Sequence, residues 1–184
     1  MAFPLKITML AAVLLLAACR SDPIHFHTLT PTQLGTSRSG TSDIQIEALS
    51  VPPQVDRPQI VIRQGNSGLA ILETEWWAAT LADELRSTLE DQMVNNNASR
   101  KVSVKLDVQR FDSIPGQYGL IDVKWRLRIG GEGDSTLQTC RSTLQTPSGA
   151  SIDDLVAAQQ INVKRLAALI SQAASGTQRG CPAS

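Results

Sequence analysis

Few side chains in this sequence are suited to covalent or metal chemistry. They are three cysteines, Cys19, Cys140 and Cys181, and two histidines, His25 and His27, in a chain of 184 residues. Spaced at i and i+2, the histidines would share one face of a strand. They could begin a metal site, but tetrahedral zinc needs further Cys, His or carboxylate ligands, and the sequence holds no second Cys/His cluster. No metal and no cofactor are expected. The same scarcity of histidine counts against a Ser-His-Asp hydrolase, whose base must sit in a cleft beside its nucleophile. Gly65-Asn66-Ser67-Gly68 is not a nucleophile elbow, because Leu69 stands two places after the serine. Gly130-Gly131-Glu132-Gly133 links two strand-like segments and carries an acid, which is unsuited to cradling phosphate. Asn97-Ala98-Ser99 matches a glycosylation sequon, relevant only in a eukaryotic secretory pathway. Nothing reads as catalytic, and the chain is expected not to be an enzyme.

The chemistry that the sequence does offer is acylation of a thiol. Cys19 directly follows Leu16-Ala17-Ala18, at the end of the apolar run Met9 to Ala18, with Lys6 ahead of it. A positive start, a short apolar run and small residues at a cut site describe a secretory leader. The run is too short to span a bilayer, which takes about 20 apolar residues. Ending on cysteine, it resembles the bacterial lipobox, in which that cysteine is diacylated, the preceding segment is removed and the new amino terminus is acylated. A plain signal peptide cut near Ala18 is the alternative. Each buried methylene contributes about 0.8 kcal/mol, so three acyl chains on Cys19 would hold the protein to its membrane permanently. Arg20, not Asp, follows the cysteine; by analogy with bacterial lipoproteins this favours the periplasmic face of the outer membrane. The expected organisation is a signal peptide over 1–18, a lipidated cysteine and short tether over 19–24, and one domain over 25–184.

Export bears on the other two cysteines. In an oxidising compartment Cys140 and Cys181 either pair, pinning a C-terminal tail that would otherwise fray, or remain two inert thiols. With 17 basic and 17 acidic side chains the formal net charge is zero, so nucleic acid is not an expected partner.

The elements that would position these residues follow from hydrophobic period. His25 to Thr30 reads as a strand stopped by Pro31, and Thr32 to Asp43 as a loop. Ile44, Ile46 and Ala48 alternate in a second strand, Gln59 to Gln64 forms a third, and Leu69 to Leu72 a short fourth. Trp77, Leu81, Leu85, Leu89 and Met93 recur every fourth residue, predicting a helix begun near Thr74 and Glu75. Val102, Val104, Leu106 and Val108, then Ile121, Val123, Trp125, Leu127 and Ile129, alternate strictly with polar residues. Each strand should bury one face and wet the other. Ser135 to Thr146 is a more polar strand, expected at an edge or with a bulge. Ser151 and Asp154 form a capping box before a final helix whose apolar stripe only Gln159 interrupts, and Gly176 ends it. The fold class expected is α/β: a single compact domain with a mixed β-sheet of about six or seven strands packed by two main amphipathic helices.

Two surface features could carry interactions. Trp76 and Trp77 are adjacent and must point apart; Trp77 continues the apolar stripe, leaving Trp76 as either an exposed interface anchor or packing under a loop. Lys101, Lys105, Lys124, Arg126 and Arg128 share the wet face of the paired strands, to meet an acidic partner or anionic lipid, or simply to be solvated.

Phe26-His27-Thr28-Leu29 shortly after the lipobox resembles the F-Y-T-L opening of the ABC-type transport auxiliary lipoproteins. Val51 to Val61, with Pro52-Pro53, Asp56-Arg57-Pro58-Gln59-Ile60-Val61, is similar to that family's L-P-x-x-L-D-R-P-Q-I-V stretch. Trp77-Ala78-Ala79-Thr80-Leu81 is similar to its W-A-E-P-L segment, with Thr80 in place of Pro, as His27 replaces Tyr. The resemblance implies a compact α/β domain without catalytic residues. It also implies an accessory role beside MCE-domain periplasmic proteins, which move lipids or other hydrophobic molecules between the two membranes. Because MCE proteins assemble as rings, a cyclic homo-oligomer is a further expectation. The alternative is a lipoprotein that carries lipid in an apolar pocket of its own.

Overall fold

The computed structural model describes residues 22–32, 42–93, 100–130, 136–176 and 180–183. The elements run β1 (His25–His27), β2 (Ser42–Ser50), β3 (Gln59–Gln64), β4 (Gly68–Trp77), α1 (Leu81–Met93), β5 (Arg100–Ile114), β6 (Tyr118–Ile129), β7 (Thr136–Pro147) and α2 (Ile152–Ala174). As expected, the fold is α/β, and the described residues form seven strands and two amphipathic helices in a single domain. The strands divide between two mixed sheets, ordered β1-β4-β3 and β2-β5-β6-β7.

The four-stranded sheet is built on the two strictly alternating strands. β5 and β6 pair antiparallel from Val102 opposite Ile129 to Ile114 opposite Tyr118, with a bulge between Val108 and Arg110. Val104, Leu106, Ile121, Val123, Trp125 and Leu127 are buried. Val163, Leu166 and Ile170 of α2 join them in the same buried core, as do Leu81, Leu85, Leu89 and Met93 of α1, which packs on α2 and β2. Trp125 donates its indole N–H to Ser142 Oγ at 3.0 Å, so the largest side chain of this core leaves no donor unpaired. β7 is an edge strand, as expected, but it pairs with β6 in unbroken register from Thr136 to Pro147; its expected alternative, a bulge, is absent.

The capping box of the final helix is present. Ser151 Oγ accepts from the Asp154 backbone N–H, and Asp154 reaches back to the Ser151 backbone N–H. Gly176, just past the helix, has φ +71°, which suits a residue without Cβ. The interruption at Gln159 has a structural reason. This fully buried amide donates to Asp112 O and Ser113 Oγ, and its own oxygen accepts from Asn162 Nδ2. Asn162 in turn donates to Gly119 O, and Thr146 Oγ1 donates to Asn162 Oδ1. These side chains tie α2 to backbone where β5 turns into β6, satisfying groups that burial would otherwise leave without partners.

The first helix starts later than its spacing predicts. Residues 73–77 belong to β4, and α1 opens at Leu81, capped by Thr80, whose Oγ1 accepts from the Asp83 N–H at 3.3 Å, and not by Thr74. β4 is held on both sides, in parallel by β1 and antiparallel by β3, and Trp77 N donates to Pro58 O. Trp77 reaches the core from a strand and Leu81 from a helix; their four-residue spacing mimics a single helical stripe. The first strand is correspondingly short, because after His27 the chain turns onto α1. There Glu84, a buried carboxylate, accepts from Thr28 Oγ1 and Leu29 N, both at 2.8 Å.

Candidate functional site

Cys19 lies outside the described residues, as do Asn97-Ala98-Ser99 and most of Gly130 to Asp134. Cys140 projects from β7 into the interior and is bonded to Cys181, with Cα atoms 5.6 Å apart. Gly180 O accepts from Gln138 Nε2 at 2.7 Å, so the tail returns against the first half of the edge strand.

The parallel pairing of β1 with β4 creates the densest polar cluster near the start of the domain. Register sets His25 opposite Glu75, Phe26 opposite Trp76 and His27 opposite Trp77. Both histidines therefore meet one carboxylate: His25 Nδ1 is 3.1 Å from Glu75 Oε1 and His27 Nε2 is 2.6 Å from Oε2. His27 Nδ1 also lies 3.5 Å from Asp153 at the start of α2. The hydrogen bond from His27, reinforced by that from His25, holds the Glu75 carboxyl below the usual carboxylate range. The sequence places the two histidines on one face but gives no sign of their shared acid, about fifty residues on. Among the described residues, no group of three or more His, Cys, Asp or Glu side chains is arranged to hold a metal. The cluster instead fastens a three-residue strand to the sheet.

On the opposite face of the same strands, Phe26 and Trp76 pack edge to face, ring centroids 6.3 Å apart. Phe26 is 65% exposed, and Ile24 just before β1 is 44% exposed. Trp76 is half-buried and donates its indole N–H to Glu73 O at 2.9 Å. Trp77, its neighbour, points inward against Phe111. Phe26 is a residue that sequence reasoning missed as a surface group. Its only local signal is alternation with the two histidines.

The wet face of the larger sheet is more balanced than its run of cations suggests. Lys105 Nζ is 2.8 Å from Glu47 and holds that carboxyl below its ordinary range. Arg141 Nε donates to Asp122 Oδ1 at 2.8 Å, which together with Thr143 keeps the buried Asp122 carboxyl ionised to lower pH than usual. Asp112 is bracketed by Arg63, at 2.8 Å, and by Arg110. Lys101, Lys124, Arg126 and Arg128 project into solvent. A depression bounded by Pro52, Val55, Val61 and Phe111 encloses about 40 Å³. A wider, open hollow of about 640 Å³ is lined by Arg63, Asn66, Arg110, Gln117 and Tyr118. No helix among the described residues is long and apolar enough to cross a membrane.

Comparison with known proteins places this arrangement. The family model described as "ABC-type transport auxiliary lipoprotein component" matches residues 27–171. Among solved structures, an uncharacterized protein superposes with a TM-score of 0.67 at 16% identity, covering 83% of this chain and 99% of its own. A Xanthomonas campestris protein assigned to family DUF330 gives a TM-score of 0.61 at 19% identity, covering 84% of this chain and 97% of its own. At these identities the likeness is one of fold. No curated protein matches the sequence.

Proposed function

The chain belongs to the family of ABC-type transport auxiliary lipoprotein components, and from that premise we propose that it is a non-catalytic accessory subunit of an envelope transport system. It is held on the periplasmic face of the outer membrane by acyl chains on Cys19. Its partner is an MCE-domain periplasmic protein that moves lipids or other hydrophobic compounds between the two membranes, an activity that sustains envelope integrity. The single observation that carries this reading is the extent of the family match, which runs from β1 into α2 and so takes in every element of the fold.

Neither of the two hollows has the form of an enclosed lipid pocket. The depression lined by Pro52, Val55, Val61 and Phe111, at about 40 Å³, is far below the roughly 300–1,000 Å³ of ordinary small-molecule pockets. The larger hollow is open, and two arginines line it. An accessory subunit acts through surfaces. The edge strand β7 offers backbone for pairing, and head-to-tail contacts that close would form a ring able to meet an MCE ring about its axis.

Affinity purification from crosslinked cells tests the partner: an MCE-type protein should be recovered, and its absence together with that of any membrane transporter would refute the proposal. Cys19→Ala tests the anchor. The variant should accumulate as uncleaved precursor or soluble protein; if it fractionates with the outer membrane as wild type does, Cys19 is not the attachment point.

A further inference from the structure

We infer that Ile24, Phe26 and Trp76 form an apolar ledge that rests in the interfacial region of the bilayer to which the chain is anchored. The inference deepens the proposed function and rests on its lipidation of Cys19.

The ledge is rigid and set close to the anchor. Phe26 is fixed by the parallel pairing of β1 with β4, by the two bonds to Glu75 on the opposite face, and by Ala78 N donating to His27 O at 2.8 Å. Phe26 is seven Cα steps along the chain from Cys19, which even fully extended reach at most about 25 Å. An acylated Cys19 therefore confines this face to the neighbourhood of the headgroups.

Its chemistry fits that place. Trp and Tyr favour the membrane–water boundary because an apolar ring can leave water while a polar atom stays paired. Trp76 meets that condition internally, since its indole N–H is already given to Glu73 O. Gln59, opposite Trp76 on β3, is uncharged. Glu75, next to Trp76, is turned to the opposite face by its bonds to the histidines. The exposed charged groups close by in the chain, Asp22 and Glu73, are acidic, so the ledge suits a zwitterionic interface over an anionic one. A second copy of the chain is the competing occupant, but the area is small. Two aromatic side chains and one isoleucine, with rings of about 150–250 Å² each when fully covered, fall short of the roughly 800 Å² per partner of a stable protein interface. A bilayer makes no such demand, because the acyl chains already supply the affinity.

Trp76 provides its own probe. Of the three tryptophans, Trp77 is 3% and Trp125 1% exposed, so quenching from outside reports Trp76. The lipidated full-length protein is reconstituted into phosphatidylcholine–phosphatidylethanolamine vesicles, with or without lipid brominated near the headgroup. Brominated lipid should quench the emission and iodide should be at least about two-fold less effective than on the Cys19→Ala protein, with both effects lost in Trp76→Phe. Protein that floats with vesicles while iodide quenches Trp76 freely overturns the ledge and leaves the anchor standing. Trp76 shielded from both quenchers assigns it to a protein contact and also overturns the ledge. Protein that does not float refutes lipidation, and the ledge with it.

Discussion

Removing the Cys140–Cys181 bond should cost this domain measurable stability, and its worth can be estimated from chain length. The cysteines are 41 residues apart, so in the unfolded chain the bond closes a loop of that size. The chain-entropy model gives about 4 kcal/mol for such a loop. Part of that is returned in the native state. Beyond the bond, Gly180 is held by one hydrogen bond from Gln138, and a tail released from the edge strand regains about 1–2 kcal/mol of backbone entropy per freed residue against the contacts it gives up. A net loss of about 2–3 kcal/mol follows, and at roughly 2–4 °C per kcal/mol for a domain of this size the melting temperature should fall by about 5–10 °C. Cys181→Ala is the suitable variant, because it removes an exposed side chain and leaves Cys140 filling its buried site. Thermal melts followed by circular dichroism would compare oxidised wild type, wild type with reductant, and Cys181→Ala. Peptide mapping without reduction would verify the bond. Reductant should lower the wild-type midpoint to that of the variant and leave the variant unmoved. If all three melt within about 1 °C of each other with the bond verified, loop closure does not stabilise this fold and the argument is wrong.

Two further substitutions probe the interior. Arg141→Gln leaves Asp122 buried without its cation. In the wild type the folded-state carboxyl is depressed by Arg141, so its contribution is present above the unfolded value near 4 and is lost as pH falls through the lower folded value. The variant should therefore unfold at higher pH in an acid titration followed by fluorescence, and an unchanged midpoint would show that the pair contributes nothing. Gly119→Ala would place a Cβ 2.9 Å from Gln159 Cδ, a side chain that cannot swing away without surrendering its bonds to Asp112 O and Ser113. A loss of about 1–3 kcal/mol is expected from denaturant titration, and wild-type stability would show that the amide adjusts freely.

What the sequence determined by itself is what depends on neighbours a few residues apart. Strict alternation in β5 and β6 specifies which side chains share a face, because successive residues of any strand face opposite ways. It does not show that Asp112, Leu120 and Asp122, out of step with that apolar face, are buried as well. Ser151 and Asp154 specify the start of the last helix, because a capping box is closed within four residues. The expectation of acylation at Cys19, likewise, rests on residues adjacent to it. Tertiary structure decided whatever depends on partners distant in the chain. Trp77 lies four residues from Leu81 and satisfies a helical period, yet strands on both flanks pair the backbone of residues 73–77 and draw it into β4. Glu84, on what reads as a polar helix face, is buried because Leu29 and Thr28, more than fifty residues earlier, bring it their donors. The exposure of Phe26 beside Trp76 rests on the parallel register of three residues of β1 against β4, about fifty residues on. Period shows which residues can share a face. Only the pairing of segments far apart in the chain shows what that face meets.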